Sequence, residues 1–565
     1  MINITINKKV FEANDNETIL DTCKRNNIYI PTLCYHPDLK KEAKCRICIV
    51  EANGKIVTSC NTFVQKDMII ITENEKINEH RKTLLELMMG NDPKLLEEAE
   101  NELVDIAKKL KISKTPFKKL IDKPSRGYGG VLHVDNNKCI MCGKCVQKCQ
   151  ITQEVFAICY DKRGVNTLVT PYLQKKLDDT VCIFCGQCSL SCPTGAIKEK
   201  DYTEEVFKAI KDPTKHVIVQ SAPSIRATIG ETQGMPVGSK VTGKLVTALK
   251  QMGFDKVVDT NFAADLTIIE EGTELIDRIQ NKKPLPLFTS CSPGWVLFME
   301  HFYPELIPNV SSCKSPQQMM GTMIKTYYAK KNNINPKDIV SVSIMPCTAK
   351  KFEAQRPEMN TSGYQDVDYV LTTREAGRMI KKAKIDFKNL KDSDFDPLLG
   401  ESTGAAVIFA ATGGVMEAAL RFAAEVLENK KLEKIDFTEV RGLAGIKEAS
   451  LTIAGIELNV AVAHGGSNAH KIIKLVKENP SKYHFIEIMA CPGGCIGGGG
   501  QPLSTSKNII QKRTAAIYDI DKNLSYRKSQ DNPEIKQIYQ DFLGKPGGHK
   551  AHELLHTYYI KRNKV

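Results

Sequence analysis

The feature that most constrains this chain is a pair of cysteine runs with the same spacing. Cys139, Cys142, Cys145 and Cys149 form C-x2-C-x2-C-x3-C. Cys182, Cys185, Cys188 and Cys192 repeat it, with Pro193 following. Gaps of two residues let three thiolates converge on one face of a cubane, while the fourth cysteine of each run serves the other cluster. The spacing therefore assigns Cys139, Cys142, Cys145 and Cys192 to one [4Fe–4S] cluster. Cys182, Cys185, Cys188 and Cys149 go to a second.

Composition narrows what surrounds them. The chain has 565 residues, 19 cysteines and one tryptophan. Its length suggests about three or four domains. An odd cysteine count, with no basic stretch and apolar core at MINITINKKVFEAND, argues against a secreted disulfide framework. No run of about 18 apolar residues appears, so no membrane span is expected. The net charge of +13 permits nucleic acid, an acidic membrane or an acidic protein partner. No basic run is interleaved with aromatics, which argues against nucleic acid.

A third cysteine group lies nearer the start. Cys34, Cys45, Cys48 and Cys60 have the spacing C-x10-C-x2-C-x11-C. MINITINKKVFEA alternates like two short strands, NETILDTCKRNN reads as a helix, and GKIVTSC and MIIITEN read as further strands. A small β-grasp domain with a cysteine loop fits this order. Four thiolates can hold a [2Fe–2S] cluster, and a zinc knuckle is the rival reading. The segment resembles the N-terminal ferredoxin domain of iron-only hydrogenases and of the large subunit of respiratory complex I. Cys23, on the helix, reads as core, and Cys159 as a buried thiol outside both cubane sets. HRKTLLELMM and KLLEEAENELVDIAKKLKI read as helical, with His80 a surface residue. KTPFKKLIDKPSRGYGG is a linker by its Pro, Gly and Lys content.

Twelve cysteines thus make a one-electron wire that needs a reacting centre at one end. From about Lys208 the pattern changes. VIVQSAPSIRATIG, DKVVDTNFAADLTIIEEG, SVSIMPCTAKKFE and LTIAGIELNVAVAHG read as buried strands with helices between, an α/β pattern with several parallel strands. FTSCSPGW, IMPCTAKKFE and EIMACPGGCIGGGGQP place cysteines at strand ends. Cys347, Cys491 and Cys495 can converge only through the fold. The glycines after Cys495 allow close backbone approach to a bulky ligand.

These loops resemble the signature loops of iron-only ([FeFe]) hydrogenases. The likeness extends through VQSAPSIR, KSPQQMMG, TREAGRMI, ATGGVMEAALR, VRGLAGIKEA and GKPGGHKAHELLH. It implies a multidomain α/β and α+β chain: a β-grasp [2Fe–2S] domain at 1–78 and a helical linker at 79–129. A two-[4Fe–4S] ferredoxin-like domain at 130–208, an α/β catalytic domain at 209–505 and a small-subunit-like segment at 506–565 follow. It also implies an H-cluster, a [4Fe–4S] cubane joined through Cys495 to a two-iron unit carrying CO, cyanide and an azadithiolate. Cys347 and Cys491 are further cubane ligands. Lys350 should hold a cyanide by a charge-assisted hydrogen bond. Pro223, Ser224, Gln317, Met345, Phe409 and Met489 match residues that wall the cofactor. Cys291, Glu271, Ser311, Glu274 and Arg278 match the proton path. Without the resemblance, Glu270, Glu271 and Glu274 read as a solvated helix face.

Two departures from the family pattern stand out. Where relatives read T-S-C-C-P, this chain reads Thr289, Ser290, Cys291, Ser292, Pro293, so the fourth cubane ligand is a serine in strict register. A serine oxygen is harder and more basic than a thiolate. Three repairs are open: Cys291 shifts to ligate, Ser292 ligates through oxygen, or Cys313 enters the shell. The reading favoured takes Cys291 as ligand with Cys313 near the proton path. The second departure is the region after His80, which lacks the three cysteines of an accessory cluster seen in the largest relatives.

The resemblance implies reversible proton reduction to H2, with electrons from a ferredoxin-like carrier, in the cytoplasm, after assembly by maturation proteins. The rivals are a hydrogen or redox sensor, an iron–sulfur assembly protein, and the hydrogenase subunit of an NADH-linked complex. The last would need a flavoprotein partner, since no G-x-G-x-x-G follows a strand here.

Overall fold

The computed structural model describes residues 1–97, 101–432, 435–503 and 506–562. The expected domain boundary at 505 lies outside them.

The N-terminal domain is a five-stranded sheet. Ile2–Ile6 forms a hairpin with Lys9–Ala13 and pairs in parallel with Ile69–Ile71, which runs antiparallel to Ile49–Ala52; Lys55–Thr58 closes the edge. The helix Ile19–Arg25 is fixed by a capping box between Thr18 and Asp21. Its inner face carries Cys23, fully buried, where burial pushes the thiol up to about 12. This is the β-grasp arrangement that the strand–helix–strand order predicts.

The helical segment is not continuous. Glu75–Met89 is followed by a 3-10 turn at Pro93–Glu97 and a separate helix, Glu102–Lys109. Asn101 starts the second helix by accepting from the Val104 amide at 2.8 Å. His80 is exposed. Leu85, Met89, Leu95, Leu103 and Ile106 form an apolar core with Leu33, Ile47, Cys34, Cys45 and Cys142. The two helices thus present hydrocarbon between the first cysteine loop and the next domain. Buried Arg81 ties them to that loop through the carbonyls of Ile47 and Ile49.

The next domain has a three-stranded antiparallel sheet, Ser125–Tyr128, Leu132–Asp135 and Ile197–Glu199, and a hairpin, Ile158–Asp161 with Leu168–Pro171. Cys159 sits on that hairpin and is only partly buried, not the buried thiol expected. The short helices Lys144–Gln147 and Gln187–Leu190 carry the third cysteine of each run. Each is entered through a left-handed glycine, Gly143 (φ 81°) or Gly186 (φ 67°).

The catalytic-length segment contains two four-stranded sheets. In one, Lys256–Asp259, His216–Ser221, Ile339–Met345 and Tyr369–Thr372 are all parallel. In the other, Leu287–Phe288, Phe485–Met489 and Ile456–His464 are parallel, and Ile446–Ile453 joins as an antiparallel edge. DKVVDTNFAADLTIIEEG is mostly helix, not strand. Asp259 accepts from the Asn261 amide at 3.0 Å and starts the 21-residue helix Thr260–Gln280, which runs through the core. Residues after 506 pack as the helices Lys507–Asn523, Pro533–Ile538 and His549–Leu555. Lys314 donates its amide to the Leu555 carbonyl, and the Thr557 amide donates to Ser312.

Candidate active site and its electron route

Parallel strands leave their ligand-binding loops at their carboxyl ends. Here both sheets turn those ends toward one cavity of about 490 Å³. The first sheet supplies Ala222, Pro223, Thr260, Met345 and Cys347; the second supplies Cys291 and Met489. Gln317, Lys350, Phe409 and Cys495 complete most of the wall. Of the expected wall residues, Pro223, Gln317, Met345, Phe409 and Met489 are therefore brought together. Ser224 is not: it is fully buried, and its hydroxyl accepts from Gln501 at 3.2 Å. Cys313 does not line the cavity either.

Lys350 is held from two sides. Its Nζ donates to the Cys291 carbonyl at 3.2 Å and to Glu353 Oε2 at 2.9 Å. The same carboxylate oxygen accepts from Ser315 Oγ at 2.9 Å and Gln317 Nε2 at 3.2 Å. Glu353 thus orients two wall residues while remaining outside the cavity. Sequence reasoning missed it, although its place three residues after Lys350 on Ala349–Glu353 puts both on one helix face.

Burial is the largest cause raising the thiols of Cys347, Cys491 and Cys495; Cys347 raises the other two further, and Cys495 also raises Cys491. Cys495 is pushed up to about 12. Buried neutral thiols clustered beside a lysine favour an occupant that can take them as thiolates, as iron does. The loops around these thiols are packed backbone against backbone. A Cβ on Gly494 would meet the Thr412 amide at 2.6 Å, and one on Gly498 would meet the Pro346 carbonyl at 2.3 Å. The residues present fit an iron–sulfur cubane and its neighbour.

Cys291 and Ser292 face different ways. Burial raises the Cys291 thiol well above its ordinary value, with Glu271 and Cys495 as the next causes. It stands between the cavity and Glu271. Ser292 Oγ instead accepts from the Ala490 amide at 3.3 Å, beside Cys491.

Glu270 and Glu271 are not a solvated face; they are 1% and 0% exposed. Burial, then the Glu274 charge, pushes the Glu271 carboxyl up to about 8. The Ser290 amide donates to its Oε1 at 3.3 Å. Ser311 Oγ donates to Glu274 Oε2 at 2.9 Å, and Arg278 holds Glu274 Oε1 at 2.7 Å. Arg278 then reaches the carbonyls of Pro284 and Pro308 near the surface. Ser311, Glu274 and Arg278 are thus linked by hydrogen bonds, and Glu271 and Cys291 lie close enough for the carboxylate to raise the thiol. Cys313 is fully buried beside them. Burial raises its thiol, and Glu274, Glu271 and Glu270 raise it further.

The cysteine runs also interleave. Cys139, Cys142, Cys145 and Cys192 line one cavity of about 390 Å³; Cys149, Cys182, Cys185 and Cys188 line another of about 400 Å³. Cys34 is hydrogen-bonded to Cys45, and Cys48 to Cys60, giving two thiol pairs for two irons. Cys142 shares an apolar cluster with Cys34 and Cys45. At the other end, Gln187 Nε2 donates to the Gly497 carbonyl and Thr348 Oγ1 to that of Phe184. The inner cluster loop is therefore pinned directly to the active-site loops.

Residues 215–499 match the iron-only hydrogenase large subunit, C-terminal domain, and 507–562 match the iron hydrogenase small subunit. Residues 1–75 match a 2Fe-2S iron-sulfur cluster binding domain and 175–198 a 4Fe-4S binding domain. The chain is 45% identical to iron hydrogenase 1 of Clostridium pasteurianum, covering 99% of this chain and 100% of that one. It is 44% identical to the NADP-reducing hydrogenase subunit HndD of Solidesulfovibrio fructosivorans over the full length of both. A solved variant of the [FeFe]-hydrogenase HydA1 from Chlamydomonas reinhardtii superposes with a TM-score of 0.59 at 44% identity, covering 65% of this chain and 100% of that one. With the thiol clusters, the walled cavity and the matched length all in accord, the chain belongs to the iron-only hydrogenase family and carries [2Fe–2S], [4Fe–4S] and H-cluster centres.

Proposed function

We propose that the protein interconverts protons, electrons and H2 at the 490 Å³ cavity, with a small one-electron carrier of the ferredoxin class at the other end of the wire. The observation that carries this reading is the meeting of the cysteine clusters and the buried acidic residues behind Cys291 at one cavity. When bound, the H-cluster supplies the electron transfer and the metal chemistry of hydrogen. Cys347, Cys491 and Cys495 would hold its cubane. The twelve upstream cysteines would hold one [2Fe–2S] and two [4Fe–4S] clusters, in the sets that share cavities or hydrogen bonds.

We assign the fourth cubane corner to Ser292 and the proton relay to Cys291. The orientation of the two side chains supports this: Cys291 faces Glu271, and the Ser292 hydroxyl faces the Cys491 loop. Lys350 orients a charged donor into the cavity. Pro223, Met345, Phe409 and Met489 exclude water, which strengthens every electrostatic contact inside. Glu271, poised near neutral pH by burial, passes protons between Cys291 and Glu274.

Full-length similarity to a subunit of an NADP-reducing hydrogenase favours a second setting, in which a flavoprotein partner exchanges electrons with the wire. Among the described residues no helix is long and apolar enough to cross a membrane. A cytoplasmic location, where this many clusters survive, is part of the proposal. The test is hydrogen evolution by anaerobically matured protein with chemically reduced ferredoxin. Turnover supports the reading; none, with all accessory clusters present, contradicts it.

A further inference from the structure

Behind the proton path, the segment holding Cys313 meets the C-terminal helix His549–Leu555. Cys313 and His556 pair as an isolated antiparallel bridge. The Cys313 thiol, a ring nitrogen of His556 and a carboxylate oxygen of Glu274 all lie within 4.8 Å of one another. Glu270 adds another donor, its Oε2 3.1 Å from His556 Nε2, while Ser312 Oγ is 2.8 Å from Nδ1. The surroundings are strongly acidic. Glu270, Glu271 and Glu274 face the thiol, and Arg278 is paired with Glu274. Among the described residues, Oε2 of fully buried Glu271 has no hydrogen-bond partner.

We propose that Cys313, His556 and Glu274, with Glu270 in reach, form a binding site for a thiophilic divalent cation of the Zn2+ class. Sulfur, imidazole and carboxylate are the donor types zinc takes, in tetrahedral sets with bonds of about 2.0–2.3 Å. Such bonds place neighbouring donors about 3.3–3.8 Å apart, so donors already within 4.8 Å need only a small contraction. Binding breaks the Cys313 S–H bond, forms a sulfur–metal bond and releases the proton to solvent. His556 contributes the lone pair of a neutral ring nitrogen, and no electron changes hands. The cation balances the carboxylate charge that a single arginine leaves in excess.

One consequence rests on the proton path proposed above. A cation on Glu274 draws that carboxylate away from Ser311 and Arg278 and interrupts the path. Occupancy is then inhibitory, and the site lets a trace metal throttle turnover from outside the cavity.

The test uses matured holoenzyme, in which Cys313 shares the free thiols with only Cys23, Cys159 and Cys291, treated anaerobically with one equivalent of ZnCl2 and desalted. X-ray absorption at the zinc edge should show one Zn–S shell near 2.3 Å among lighter atoms near 2.0–2.1 Å. Hydrogen evolution should fall at least about tenfold, the scale on which an outer-shell partner of a metal site acts. In Cys313→Ala the sulfur shell should vanish, and zinc should alter turnover by less than about twofold relative to that variant's own metal-free rate. Cys313→Ser, which keeps a hydroxyl at the position, guards against a folding failure. A nitrogen–oxygen shell alone in wild type, or an unchanged sulfur shell in both variants, would overturn the site. A sulfur shell that depends on Cys313 without loss of turnover would uphold the site and refute the path through Glu274.

Discussion

The Cys491 sulfur lies 3.9 Å from the carbonyl oxygen of Cys185. This is where the inner [4Fe–4S] loop touches the cubane loop of the active site. Nothing separates them because nothing fits: a Cβ on Gly499 would stand 2.2 Å from that carbonyl, and one on Gly186 would stand 2.3 Å from Thr348 Oγ1.

Gly499→Ala should therefore push the two loops apart. The expected outcome is slower turnover with reduced ferredoxin, together with a lower Tm, since overpacking costs about 1–3 kcal/mol. Both clusters should still assemble. Freeze-quench electron paramagnetic resonance would show electrons accumulating on the inner accessory cluster.

Glu353→Gln should test the support of the cavity wall. The variant keeps the shape but gives up the charge that holds Lys350, Ser315 and Gln317. Loss of an outer-shell partner costs about 10–100-fold in activity or affinity. Hydrogen evolution should fall within that range while the accessory clusters keep their spectra.

How much of this was legible in the sequence depends on how local each feature is. The interleaved cysteine sets follow from gaps of two and three residues, and Cys149 and Cys192 each line the cavity of the opposite run. The β-grasp domain was legible because its strands alternate. Burial of Glu270 and Glu271 was not legible from periodicity, because the cover comes from residues 269 to 286 positions later: Tyr539, Gly547 and His556 all bond to Glu270. The break before Glu102–Lys109 was masked by strong helix formers on both sides of one capping asparagine. The different facings of Cys291 and Ser292 turn on the backbone at a helix start, which residue identity does not reveal.

Glu271→Gln should change both rate and pH response. Its carboxyl is raised from about 4.5 to about 8, so between those values the folded protein holds a proton that the unfolded chain releases. Stability should fall as pH rises through that window, and the loss is complete above about 8. In Glu271→Gln, Tm should be flatter between pH 5 and pH 9, measured by calorimetry. Hydrogen evolution should drop about 10²–10⁴-fold, the usual weight of a positioned proton carrier.

Ser292→Cys should replace a hard oxygen by a soft thiolate at the fourth corner. The expected result is a cubane with a higher reduction potential, read by redox titration followed by electron paramagnetic resonance. Ser292→Ala should lose the cubane signal or weaken it. If Cys291→Ala removes that signal and Ser292→Ala does not, the two assignments are reversed.

The most direct measurement is an infrared spectrum of anaerobically matured protein, recorded on the sample used for hydrogen evolution. CO and cyanide bands together with turnover are the expected result, showing that the cavity beside Ser292 holds a working H-cluster. Absence of those bands, in protein whose accessory clusters are intact and whose maturation system loads a control hydrogenase, would contradict the account and leave an electron-transfer or sensory protein on this fold.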